Sequence, residues 1–260
     1  MNIRERQGKL VDIVRKGEKV SVDVLDRMLD ISRETIRRDL TQLAKAGKIQ
    51  KVHGGATIPR LLGEGQYQHR LSENVDAKIK IAKAAASLFK PGETLLIDTG
   101  TTTLYFAEVI AKIPGLMIVT NSTEIARTID KAKTGSRVFL LGGEFSAQNS
   151  QTVGAMVTAQ IRSFRAHHAV LTIGALDRRT GAMDYDFEEA QIAQAMIEQS
   201  QRLTVLADSS KFDTLASFEV CPLTEIQNLV CDKSPASEIR ETLELAGGRV
   251  VLVDRTRTGR

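Results

Sequence analysis

Cysteine is nearly absent from this chain: Cys221 and Cys231 are the two cysteines among 260 residues. They lack metal-ligand spacing, and so few thiols exclude a disulfide scaffold; a reducing cytoplasm is the compartment that fits. No run of about 18 apolar residues occurs, so no segment is expected to span a bilayer and no membrane partner is expected. The opening MNIRERQGKL carries charge with no apolar stretch behind it, which argues against a secretory leader. Also missing are a Walker loop, a Gly-x-Ser-x-Gly elbow, the glycine-rich dinucleotide fingerprint and the EF-hand spacing. There is no internal repeat and no low-complexity tract. No catalytic residue, no cofactor and no metal is expected from motifs of these kinds.

What is present is a globular composition, 42% hydrophobic, long enough for one large domain or for a small and a medium one. The net charge of +4 is unevenly spread. Residues 1–60 hold 14 Lys and Arg against 8 Asp and Glu, an excess of +6, which leaves −2 for the remainder. A basic head on a slightly acidic body suits a phosphate-binding module fused to something else.

In the head, Ile3, Leu10, Ile13 and Val14 recur at helical spacing, with Gly17 as a stop. Ser21 is expected to cap a second helix striped by Val24, Leu25, Met28 and Leu29, and Asp30-Ile31 to turn the chain. Ser32 then caps a third helix, with Glu34 in its first turn. Ile36, Leu40 and Leu43 share one face. Glu34, Thr35, Arg38, Thr41 and Lys45 fall opposite, flanked by Arg37. Gly47 ends that helix, residues 48–52 alternate as a strand, and His53-Gly54-Gly55 turns back. This is the pattern of a winged helix-turn-helix that sets one helix in a DNA major groove. Ser32, Arg33, Glu34, Thr35, Arg37 and Arg38 are the candidate base and phosphate contacts, with Lys51 and His53 of the wing near the sugar–phosphate backbone. Asp39 is acidic for such a face and is expected to make an internal ion pair or a cap that orients an arginine.

The segment SVDVLDRMLDISRETIRRDLTQLAKAGKIQKVHGGA resembles the DNA-binding domain of the DeoR family of bacterial transcriptional regulators. The likeness rests on Ser32, Thr35, Ile36, Arg37, Arg38, Asp39 and Leu40, then His53-Gly54-Gly55. It implies a repressor that binds double-stranded operator DNA.

Beyond residue 75 the pattern changes. Apolar runs at 94–98, 116–120, 137–141, 168–174, 202–208, 227–231 and 249–253 alternate with helical stretches at 76–89, 103–112, 123–132, 155–163, 187–200 and 236–246. The fold class read from this is α/β: a winged helix-turn-helix, then an open, mostly parallel sheet covered on both faces. The boundaries are residues 1–58 for the head, 59–75 for a linker marked by Pro59, Gly63 and Gly65, and 76–260 for an effector-binding and oligomerisation domain. The terminal RTRTGR reads as a frayed tail.

Ligands of open α/β sheets bind beyond the carboxyl ends of the strands. That rule selects Asp98-Thr99-Gly100-Thr101-Thr102-Thr103 at a helix start suited to an anion, then Asn121-Ser122 and Gly142-Gly143-Glu144. It also selects Lys211 in the Asp208–Phe212 loop, where a lysine can neutralise phosphate. The segments DTGTT, TNS, LGGE, EEA and DSSKF resemble the DeoR-type sensor domain, whose fold is similar to ribose-phosphate isomerases and coenzyme A transferases. The resemblance implies a phosphorylated sugar or related metabolite as effector. Its phosphate would sit on Thr99–Thr103 with Lys211 as counter-charge, and Asp98, Asn121, Ser122, Gly142, Gly143 and Glu144 would line the remainder.

Two other groups carry no site. His167 and His168 are adjacent in a strand and must face opposite ways, so they cannot share a metal. Asp184, Asp186, Glu188 and Glu189 read as an acidic helix start. The expectation is a dimeric or tetrameric cytoplasmic repressor of a carbohydrate-catabolism operon. The alternatives are an isomerase-like enzyme with an accessory DNA head, or an activator.

Overall fold

The computed structural model describes residues 3–16, 19–29, 31–45, 49–52, 54–57 and 67–253. Gly17, Asp30, Gly47, His53, Pro59, Gly63, Gly65 and the terminal RTRTGR, to which roles were assigned above, lie outside the described residues. The chain divides into two compact units, Met1–Leu62 and Gly63–Arg260.

The first unit runs α1 (Ile3–Lys16), β1 (Lys19–Ser21), α2 (Val22–Leu29), α3 (Arg33–Lys45), β2 (Gln50–Val52) and β3 (Gly55–Thr57). Leu10, Val14, Leu25, Ile36 and Leu40 meet in its core, each at most 1% exposed. A leucine so buried contributes about 1.5–3 kcal/mol. The stripes differ in detail from the sequence reading. Ile3 and Met28 are exposed, and Val22 takes Met28's expected place inside, three residues before Leu25. Ser21 Oγ accepts from Val24 N and Ser32 Oγ from Thr35 N, so both expected caps are made. The wing is part of a three-stranded antiparallel sheet, β1-β3-β2, because the chain entering α2 also pairs with it. Gly54 turns at φ +77°, and a Cβ on Gly55 would lie 2.2 Å from the carbonyl oxygen of Val20. Glycine at both positions lets β3 close on β1.

The second unit opens with α4 (Tyr67–Ser72) and α5 (Val75–Ala86). Then come β4 (Thr94–Ile97), α6 (Thr101–Ile110), β5 (Met117–Thr120), α7 (Thr123–Lys131) and β6 (Arg137–Leu140). A ribbon of β7 (Glu144–Ser146) and β8 (Gln151–Val153) leads to α8 (Ala155–Ile161) and β9 (Ala166–Thr172). Next are β10 (Ala175–Asp177), β11 (Gly181–Asp184), α9 (Phe187–Glu198) and β12 (Ser200–Ala207). A 3-10 turn (Ser209–Lys211), β13 (Phe218–Cys221), β14 (Asn228–Cys231), α10 (Ser237–Leu245) and β15 (Arg249–Leu252) complete it.

All seven expected apolar runs join one parallel sheet in the order β15-β14-β12-β9-β4-β5-β6. Alternate residues serve opposite faces: Leu95 and Ile97 pack with Phe106, Ile110 and Ile125, whereas Leu96 packs with Val157, Ile161 and Met196. Helices α5–α7 therefore cover one face and α8–α10 the other. Chain order runs outward from β4 to β6, then outward again from β9 to β15. The order reverses between β4 and β9, which is where such sheets hold ligands.

The stretch read as a linker contains α4. Tyr67 in it is 1% exposed, and Tyr105 Oη in α6 donates to Leu71 O at 3.2 Å. Its six residues are too few for a helical period to register in the sequence. Among the described residues no helix is long and apolar enough to cross a membrane.

Candidate functional site

In the first unit, α3 presents its polar face as its periodicity requires. Arg37, Arg38 and Glu34 are exposed. Ser32 Oγ and Thr35 Oγ1 are hydrogen-bonded at 2.9 Å in the first turn. Thr41 Oγ1 donates back to Arg37 O, and Lys51 Nζ donates to Thr41 Oγ1 at 3.0 Å. That contact lays the wing lysine against α3. Arg33 is placed differently from Arg37 and Arg38: its Nε lies 3.1 Å from Asp26 and 3.3 Å from Asp23, both on α2. Such exposed pairs are weak, so they orient Arg33 without removing it from the surface.

Asp39 is 2% exposed and points inward. Arg6 of α1 reaches it through Nε at 2.5 Å and Nη2 at 3.2 Å, and Gln7 Nε2 adds a bond at 3.2 Å. The carboxylate pushes the Arg6 guanidinium pKa up, chiefly through the hydrogen bond. The acid beside two exposed arginines thus fastens α3 to α1.

The second site lies at the reversal point of the large sheet. Asp98, after β4, accepts from Thr172 N, at the end of β9, at 2.9 and 3.2 Å to its two oxygens. One carboxylate therefore joins the two strands on either side of the reversal. Gly100 makes the approach close: a Cβ there would lie 2.0 Å from Thr172 Cγ2. Helix α6 starts at once, and its first intrahelical bond is Leu104 N to Gly100 O. The amides of Thr101–Thr103 precede that bond and have no partner within the helix, the arrangement that receives anions.

Thr103 and Thr99 play unequal parts. Thr103 is fully buried, and its hydroxyl donates to Asp98 O and Gly100 O, so it braces the loop. Thr99 Oγ1 is buried with no hydrogen-bond partner. One strand over, Asn121 gives its Nδ2 protons to Gln151 Oε1 and Thr152 O, while its Oδ1 is buried and unpartnered. Two orphaned oxygens at neighbouring strand ends need an explanation, and a bound molecule is one. Ser122 Oγ caps α7 by accepting from Ile125 N.

The remaining expected residues are spread more widely. Gly142 lies on the edge strand's exit, where Gln160 both donates to its carbonyl and accepts from its amide. A Cβ on Gly143 would meet Val153 O at 2.6 Å, so close packing of β8 accounts for that glycine. Glu144 is exposed on β7. Lys211 ends the 3-10 turn after β12 and is half-buried. Asp208 caps that turn by accepting from Ser210 N and also accepts from Asn74 Nδ2.

Sequence reasoning missed Glu189 and Gln151. Glu189 Oε1, in the first turn of α9, accepts from Asn149 Nδ2 at 2.6 Å and Gln151 Nε2 at 2.5 Å. A polar chain thus runs Asn121–Gln151–Glu189–Asn149. Asp184 and Glu189 both bear on Asp98, whose pKa is raised well above the usual carboxylate range, by burial first and by these neighbours after it. Glu189 stood in the EEA segment but was read as a helix start, a role Asp186 fills through Glu188 N and Glu189 N. Gln151 sits on a three-residue strand with no pattern to mark it. Chemically, the reversal point offers helix amides for an anion and carboxyl and amide oxygens for hydroxyl groups.

His167 and His168 do face apart. His167 Nδ1 accepts from Thr94 N, while His168 is buried against Phe89 with Nε2 3.5 Å from Glu93. Among the described residues no group of three or more His, Cys, Asp or Glu is placed to hold a metal ion.

The model of the DeoR-like helix-turn-helix domain matches residues 6–60, and that of the DeoR C terminal sensor domain matches residues 73–233. The chain is 28% identical over 243 residues to the glycerol-3-phosphate regulon repressor of Escherichia coli K12, covering 94% of this chain and 96% of that one. It is 31% identical over 250 residues to the HTH-type transcriptional regulator GlpR of Haloferax volcanii, covering 95% and 96%. Among solved structures it is similar to ribose 5-phosphate isomerase A of Methanocaldococcus jannaschii, with a TM-score of 0.39, 16% identity, and 54% and 55% of the two chains covered. The two family matches together take in the winged head and most of the large sheet: the chain belongs to the DeoR family.

Proposed function

We propose that this protein is a sequence-specific transcriptional repressor of a carbohydrate-related operon, released from its operator by a phosphorylated sugar or related metabolite. Residues 1–58 are the DNA-binding head, 59–75 the connector with α4 as its final part, and 76–260 the effector and oligomerisation domain. Ser32, Glu34, Thr35, Arg37 and Arg38 read the operator, assisted by Arg33, Lys51 and His53. The effector's phosphate sits on the Thr99–Thr103 segment, taking its amides and the hydroxyls other than that of Thr103, which braces the loop, with Lys211 as counter-ion. Its hydroxyls meet Asp98, Asn121, Ser122 and the Gly142–Glu144 loop. A symmetric dimer or tetramer would engage half-sites about 34–36 Å apart or a multiple of that.

The observation that carries this reading is the pair of orphaned oxygens, Thr99 Oγ1 and Asn121 Oδ1, beside the unclaimed start of α6. The names of the relatives, repressors and regulators, support regulation over turnover. Arg38→Ala is expected to weaken binding of a selected operator fragment by about 1–3 kcal/mol, with effector affinity unchanged. Fluorescence anisotropy of labelled DNA measures it, and an operator affinity equal to wild type would contradict the assignment.

The raised pKa of Asp98 is a feature that a proton-transfer enzyme would share. Incubation with pentose and ketohexose phosphates separates the readings: sustained conversion above a Lys211→Ala control would establish an isomerase and overturn the sensor.

A further inference from the structure

Lys78 has no part in the site described so far. It lies in the first turns of α5 and is 3% exposed, although lysine almost always keeps its ammonium in water. Its Nζ donates to the carbonyl oxygen of Arg70 in α4. An ammonium has three protons to give, and among the described residues this is the one hydrogen bond it makes. Four charged groups bear on it: Asp208 and Glu73 favour its charge, Lys211 and Arg70 oppose it. Asp208, the stronger anion, is already bonded to Ser210 N and Asn74 Nδ2. The side chain thus brings a second cation within electrostatic reach of Lys211 and Asp208, with donors to spare and, among the described residues, no carboxylate in an ion pair with it.

We propose that Lys78 is a phosphate-binding residue of the effector site, and that its Nζ turns from the Arg70 carbonyl to the phosphate oxygens when effector binds. This rests on reading the strand ends as a phosphomonoester site. A dianionic group between two ammonium ions removes their repulsion and fills the unused donors of Lys78, whereas an uncharged sugar would do neither. The exchange has a consequence at α4. That helix has six residues, too few to persist without tertiary contacts. Buried Tyr67, the bond from Tyr105 Oη to Leu71 O and the bond from Lys78 to Arg70 O hold it. Loss of the last loosens the helix that directly follows residues 58–66, the stretch leading back to the head. Lys78 would thereby report occupancy of the site to the connector.

The test uses the full chain, with inorganic phosphate and glycerol 3-phosphate as probes at matched ionic strength. Binding is read by phosphorus-31 line broadening, and the state of α4 by hydrogen exchange of residues 67–72. Saturating probe should speed exchange of those amides in the wild type. Lys78→Met should weaken binding about 10–100-fold, and its α4 should exchange fast with or without probe. Lys78→Arg, which keeps the charge, should hold binding within a few-fold of wild type. Lys211→Met should weaken binding but leave the unliganded α4 slow. Wild-type affinity in Lys78→Met with loss in Lys211→Met would overturn the role of Lys78 and leave the phosphate site standing. Exchange of α4 that no probe alters in the wild type would overturn the coupling. A wild type that binds neither probe would overturn the phosphate site and the assignment of Lys78 with it.

Discussion

Asp98 shows how much one residue can do at the reversal point of a parallel sheet. Its carboxyl group accepts from Thr172 N and so couples the loop after β4 to the end of β9. It does so while buried near Asp184 and Glu189, which raises its folded-state pKa above the usual 3.8. A group whose pKa rises on folding binds its proton more tightly in the native state. Its stabilising contribution is full below the unfolded value and is lost as pH rises through the folded one. Asn can accept from Thr172 N without carrying a charge. Asp98→Asn should therefore be at least as stable as wild type near pH 7 in the absence of ligand, and its melting temperature should fall less between acid and neutral pH. Melting curves that stay parallel across that range would contradict the raised pKa. Asp39 gives the converse lesson: it is buried too, but Arg6 meets it, so its charge holds two helices together.

At the scale of elements, what was legible depended on locality. The seven strands of the large sheet are apolar runs flanked by helices: β4, β5, β9, β12 and β14 are buried along most of their length, and the edge strands β6 and β15, though partly exposed, keep the same apolar composition. Strand β1, the β7–β8 ribbon and the antiparallel group β10-β11-β13 have three or four residues each. Their pairing depends on distant partners, as when Ala182 in GAMD meets Cys221 across some forty residues, and no local period announces it. The site divided the same way. Thr99–Thr103 and Asn121 follow strands the pattern reveals, whereas Gln151 lies in a three-residue strand with no pattern to mark it, and Glu189, though within the EEA segment, meets Gln151 only through the chain's folding. Gly55 could be seen as part of a turn, but its contact with Val20 could not. Gly55→Ala places a Cβ against backbone, which cannot rotate away, and should cost about 1–3 kcal/mol. Hydrogen exchange at residues 19–21 and 55–57 should accelerate; unchanged protection there would contradict the close fit of β3 on β1.

At the scale of the whole molecule, the uneven charge separates two tasks. The head carries +6 within residues 1–60, which favours encounter with DNA, while the remaining −2 gives the larger unit no general affinity for it. The anion binding proposed for that unit must come from particular groups rather than from net charge, which would make it selective. In the proposed mechanism, linkage joins the two sites. If effector lowers operator affinity by some factor, operator must lower effector affinity by the same factor. The direct measurement is a pair of titrations on the full-length protein with a selected operator fragment and whichever phosphorylated sugar raises its melting temperature. Anisotropy gives operator affinity with and without saturating effector; calorimetry gives effector affinity with and without saturating operator. Both affinities should fall by one common factor, about 5–150-fold. An operator affinity that saturating effector leaves unchanged would contradict the account.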